Sequence, residues 1–134
     1  MPSRLAPRSV LAVVGGAGAY LAIYAAFLGV FNIAVSAAAP TGYLTDIVIS
    51  WILSTTVSGV AVSRILGARS FFHGCAAGAL GAIVMIAGLR WLIGPMDHVG
   101  FMATFWVIAS AALSGCGALI GRDRPIDPSS SAEL

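Results

Sequence analysis

The sequence predicts an all-α, four-span transmembrane helix bundle with short loops, and three observations carry that reading. The 134-residue chain is 59% apolar and only 9% charged, whereas soluble domains carry about a quarter charged residues. Its mean hydropathy is +0.98. Four apolar stretches each reach the roughly 20 residues that a helix needs to cross a hydrocarbon core about 30 Å thick. Between Ser9 and Gly121 the only charged residues are Asp46, Arg64, Arg69, Arg90 and Asp97. That is too few to coat a soluble globule, and the chain is too hydrophobic for disorder outside its C-terminal tail.

The spans are expected at about residues 10–33, 44–63, 71–93 and 99–121. Pro40 and Gly42 break the first connection, Gly67 the second, and Gly94 with Pro95 the third. Residues 1–122 then form a single four-helix transmembrane domain. Residues 123–134, polar and rich in Pro and Ser, form a short cytoplasmic tail expected to be disordered.

Arginine placement orients the bundle. Arg4 and Arg8 precede the first span, Arg64 and Arg69 bracket the second loop, and Arg122 and Arg124 follow the fourth span. Only Arg90 falls toward the other side, so the positive-inside rule puts both termini in the cytoplasm. Such a bias does not suit a dual-topology protein. All seven basic residues are Arg, with no Lys and no Gln. This usage suggests a GC-rich bacterial genome and a bacterial cytoplasmic membrane. Without Lys, no side chain can form a Schiff base. An N-terminal signal cleaved after Ala37-Ala38-Ala39 is the competing reading of the first span, but its apolar stretch exceeds the 7–15 residues of a signal core.

Lipid tails are as apolar as leucine, so helix association in a bilayer relies on close packing of small residues. In the first span Gly15, Gly18, Ala22, Ala25 and Gly29 form a small stripe opposite Tyr20, Tyr24, Phe27 and Phe31. Such stripes are expected to pack the bundle tightly, with one or two of them serving other subunits. The second span offers Ser50, Ser54 and Ser58; the third Gly74, Gly78, Gly81 and Gly88; the fourth Ser114, Gly117 and Gly121. A core of such residues leaves no wide pore within one protomer, so any pathway would run between protomers.

Folding the spans back on one another brings Asn32, Asp46, Ser50 and Arg90 to similar depth, with Asp97 and His98 just above. This is the candidate outer polar cluster. Charged groups inside spans are rare and are usually paired or functional, so Arg90 is expected to pair with Asp46 or Asp97. Alternatively, it snorkels outward beside Trp91.

The chemistry of a catalyst is missing from the pattern. His73 and His98 are expected a membrane apart, which does not suit two axial ligands of one haem. Cys75 and Cys116 fall at matching depth but in Gly/Ala/Ser surroundings, where cysteine serves as a small filler. Gly15-Gly16-Ala17-Gly18 lies within a span, with no preceding strand, and is no phosphate loop. Asp46 and Asp97 are the only carboxylates near the bilayer, too few for a divalent metal. No enzyme, cofactor or metal is therefore expected, and no nucleic-acid partner. The partners expected are the lipid bilayer and other membrane subunits or further copies of the chain. A loose parallel repeat also shows: Trp51, Ser58-Gly59 and Arg64 against Trp106, Ser114-Gly115 and Arg122. The function classes left are a non-catalytic accessory, structural or assembly subunit, a small oligomeric transporter or channel, and a holin-like pore former.

Overall fold

A computed structural model describes residues 5–35, 43–93 and 99–121, with side chains placed for 7–27, 29, 47–91, 100 and 102–121. Four helices account for almost all of it: α1 (Leu5–Val35), α2 (Tyr43–Leu66), α3 (Phe71–Ile93) and α4 (Val99–Ile120). Each contains a segment of 19 to 21 residues long and apolar enough to cross a membrane. The protein is a multi-pass, all-helical membrane protein.

The described connection between α2 and α3 shows how the sequence stops one helix and starts the next. Gly67 takes a left-handed conformation, φ 71°, and its N–H donates to the Ser63 carbonyl at 2.9 Å. A residue with no Cβ adopts this backbone at little cost, which is why glycine so often follows a helix end. Arg64 in the last turn of α2 lies at the negative end of the helix dipole. Ser70 caps α3: its carbonyl accepts from the Gly74 N–H at 3.1 Å, and its hydroxyl lies 2.6 Å from His73 Nδ1. Arg69 then reaches across, donating from Nε to the Gly121 carbonyl at 3.1 Å, which satisfies an orphan acceptor at the end of α4.

The helices are arranged with α2 beside α1 and α4, and with α3 beside α4 and α1. Across the bundle α2 also touches α3, whereas among the described residues α1 and α4 scarcely meet. The matching features of the two hairpins come together on the α2–α4 interface: the Trp51 and Trp106 rings lie 4.5 Å apart, and Ser114 Oγ donates to Ser58 Oγ at 3.3 Å. The unequal diagonals mean that the hairpins are not related by a two-fold rotation.

One face differs from the sequence expectation. The side of α1 turned into the bundle is Ala12, Gly16, Ala17, Tyr20 and Tyr24, all buried. Gly18, Ala22, Ala25 and Gly29 point away from it and are exposed. The reason is physical. Ring area and a phenolic hydroxyl have more to gain from the other helices than a glycine face has, and the hydroxyl needs a polar partner when buried. In a uniformly apolar helix, spacing alone cannot say which stripe turns inward.

Candidate functional site

The polar side chains of the interior are hydroxyls, and most satisfy themselves locally. Ser54 Oγ donates to the Ser50 carbonyl at 2.6 Å, and Thr56 Oγ1 to the Ile52 carbonyl at 2.8 Å. Thr55 Oγ1 lies 2.9 Å from the carbonyls of both Trp51 and Ile52. Bonding to the preceding turn is the usual way for Ser and Thr to remain in an apolar span. Such hydroxyls are held by the backbone and make poor nucleophiles.

Toward the α2–α3 turn the helices approach backbone to backbone. A Cβ built on Gly59 would collide with the Ser114 carbonyl and would stand 2.6 Å from the Ala118 nitrogen. On Gly78 it would meet the Ser110 carbonyl, and on Gly74 it would lie 2.7 Å from the Ser114 carbonyl. On Gly117 it would strike the Thr56 carbonyl, and on Gly121 the Ser63 hydroxyl. On Gly16 it would stand 2.9 Å from Ala77 Cβ and 3.1 Å from the Ser58 carbonyl. Gly15 meets only the flexible end of Ile65, at 2.6 Å.

The centre is filled by an aromatic cluster. Tyr20 is completely buried and gathers with Tyr24 and Trp51, against which Met85 and Trp106 pack. Its ring lies on Gly81, where a Cβ would stand 2.9 Å away, and its hydroxyl donates to Met85 Sδ at 3.6 Å. The same hydroxyl faces the side chains of Ser110, Trp106 and Trp51. Trp51 Nε1 donates to Ser110 Oγ at 2.8 Å. One α1 side chain thus touches all three other helices and links α1 to α4, which barely meet otherwise. Trp106 Nε1 is buried with no hydrogen-bond partner.

Beyond this cluster, away from the turn, two spaces lie beside α3 and α4. On one side of Ile86 and Ala103 lies a cavity of about 200 Å³ reached by Tyr24, Met85, Met102 and Trp106. On the other lies a groove of about 470 Å³ between α3 and α4, walled by Ile83, Ile86, Val107 and Ile108. Arg90 and Thr104 also line this groove, and Arg90 is exposed. The Thr104 hydroxyl is turned to the Gly100 carbonyl at 2.9 Å.

Of the expected polar cluster, only the Ser50 and Arg90 side chains lie within the described residues. Ser50 is buried on α2, whereas no α2 residue lines the groove that holds Arg90. The side chains of Asn32 and Asp46, and the whole of Asp97 and His98, lie outside the described residues. The expected pairing of Arg90 with either aspartate therefore falls there too. Of the small residues singled out by spacing, Ser54, Ser58, Gly74, Gly78, Gly81, Ser114, Gly117 and Gly121 lie inside the bundle. Nothing would meet a Cβ at Gly18, Gly29 or Gly88, which all face outward. Cys75 is half-buried and Cys116 exposed, and both are free thiols.

Sequence reasoning passed over the central cluster. By spacing, Tyr20 and Tyr24 fall on the bulky side opposite the small stripe, and Trp51 and Trp106 mark only a repeat. The usable signal was that repeat, because its paired tryptophans and paired serines are the residues that meet. No protein-family model, curated protein or solved structure matches this chain.

Proposed function

We propose that the protein is a non-catalytic accessory or assembly subunit of a complex in a bacterial cytoplasmic membrane, with both termini cytoplasmic. The observation that carries this reading is the filled axis. Tyr20, Trp51 and Trp106 occupy the middle of the bundle, and side chains packed there leave no room for a solute to pass through a protomer. The interior hydroxyls are engaged with the backbone or with one another, and a buried group already satisfied has little to offer a reactant. The outward face of α1 supports a subunit role as well: Gly18, Ala22, Ala25 and Gly29 are exposed, which lets a neighbouring helix approach closely. The six Arg of the termini and the α2–α3 turn support the orientation.

Two measurements on one preparation test this. Protein extracted in mild detergent and weighed by native mass spectrometry should run as a hetero-complex of fixed stoichiometry, and Gly18→Leu should dissociate it without lowering the unfolding temperature of the protein itself. Proteoliposomes of the purified protein should hold ion and small-solute gradients as well as empty vesicles. A homo-oligomer that dissipates those gradients would replace this reading with the transporter or pore-forming one.

A further inference from the structure

The groove between α3 and α4 combines two kinds of surface. Its walls are aliphatic, Ile83 and Ile86 on one helix and Val107 and Ile108 on the other, and one end carries the guanidinium of Arg90. From Ile83 to Arg90 is seven residues, about 10 Å along a helix at 1.5 Å per residue. Ala87 lines the groove one turn from Arg90, and Ala103 faces it from α4; both are too small to fill it. Trp91, next to Arg90, is 86% exposed, the setting of an aromatic side chain at the level of lipid headgroups. Arg90 is near the end of its span and is exposed. A guanidinium at the edge of hydrocarbon is placed to meet headgroup phosphates.

We propose that this groove binds one anionic phospholipid, with an acyl chain lying between Ile83 and Ile108 and the headgroup phosphate held by Arg90. The match is one of charge and shape. A guanidinium presents paired N–H donors that suit phosphate oxygens, and charge-assisted bonds of this kind are the strong ones. A zwitterionic lipid offers the same chain and phosphate but brings its own cation, which competes with Arg90 for that phosphate. A partner helix carrying a carboxylate is the other occupant that Arg90 would suit. The groove favours the lipid because the branched aliphatic walls of Ile83, Ile86, Val107 and Ile108 suit an acyl chain, and the exposed Trp91 sets the Arg90 end at the level of headgroups. The site requires only that α3 and α4 span a membrane, so it holds whether the protein is a subunit or a transporter.

The test is native mass spectrometry of the detergent-purified protein mixed with equal amounts of dioleoyl-phosphatidylglycerol and dioleoyl-phosphatidylcholine. The wild type should retain phosphatidylglycerol over phosphatidylcholine by about tenfold, the ratio that one charge-assisted contact of this class supplies. Arg90→Ala should bring the two lipids to parity, and Arg90→Lys should keep part of the preference. Ala87→Trp, which fills the groove while leaving the charge, should lower retention of both lipids. Ala87 and Arg90 are both exposed, so these variants should keep the wild-type unfolding temperature. Equal retention of the two lipids by the wild type overturns the proposal. So does an Arg90→Ala protein that keeps the preference, or one that loses a protein partner while its lipid preference stays unchanged.

Discussion

Along α3, glycines of the same kind have opposite surroundings. Gly74 and Gly78 lie against the backbone of α4, where a Cβ would run into the Ser114 and Ser110 carbonyls. Gly88, further along the helix, has nothing within 4 Å of its Cβ position. Between them Tyr20 lies across Gly81. The bundle is therefore closed toward the α2–α3 turn by missing side chains, filled at its middle by large ones, and grooved beyond them. Burying apolar surface gains little when the solvent is lipid, so contact distance decides where helices associate. Where backbones touch, the pair is held; where isoleucines face one another, space remains for lipid.

The largest effect should come from placing one substitution at both ends of this gradient. Gly78→Leu sets a side chain against a carbonyl that cannot yield without moving α4, and should cost upward of about 4 kcal/mol, a range reserved for severe overpacking. In detergent this variant should show no cooperative unfolding transition. Gly88→Leu, the same change 10 residues later, should leave the transition in place. Equal loss at both positions would break the contrast between the two ends.

Next in size is the central side chain. Tyr20→Ala leaves a cavity that three helices line and should destabilise the bundle by about 3–5 kcal/mol, as large aromatic truncations do. Tyr20→Phe keeps the ring on Gly81 and gives up the hydroxyl's contacts with Met85 Sδ, Ser110 and the two tryptophans, so it should cost about 1–1.5 kcal/mol. The ratio of the two, read from thermal unfolding, separates filling from hydrogen bonding. A smaller loss than that of Tyr20→Ala is expected at the turn. Gly67→Ala puts a Cβ on a φ of 71°, a conformation that costs an L-residue about 1–2 kcal/mol. The smallest is Ser110→Ala, which removes the 2.8 Å bond from Trp51 Nε1 and little volume. Interhelical hydrogen bonds in membranes average about 0.6 kcal/mol, so its unfolding temperature should shift only slightly.

The spans were legible in the sequence because length and apolarity are counted along the chain, and both are set by the thickness of the bilayer. The third stretch, 71–93, coincides with α3 (Phe71–Ile93), while α1 and α2 continue beyond their expected ends to Leu5 and Leu66. Their extra turns hold residues such as Arg8 and Arg64, which an apolar count stops short of and a helix does not. The inward face of α1 was illegible for the converse reason. Every side of that helix is apolar, and no polar residue marks the lipid side, so only the partners Gly81, Met85 and Trp51 determine that Tyr20 turns in. Arg90 could be recognised from sequence as an unusual charge, but not the groove beneath it.

The central claim is that the middle of the protomer is filled and dry. Cysteine accessibility tests it most directly. With Cys75→Ala and Cys116→Ala as background, Ser110→Cys sets a thiol beside Tyr20 and Trp51, and Ala68→Cys sets one on the exposed α2–α3 turn. A membrane-impermeant maleimide applied to both sides of membranes holding the protein should leave Ser110→Cys unmodified and should modify Ala68→Cys, because the reagent adds to a hydrated thiolate. Modification of Ser110→Cys by the impermeant reagent would show water at the axis of the bundle and contradict the account.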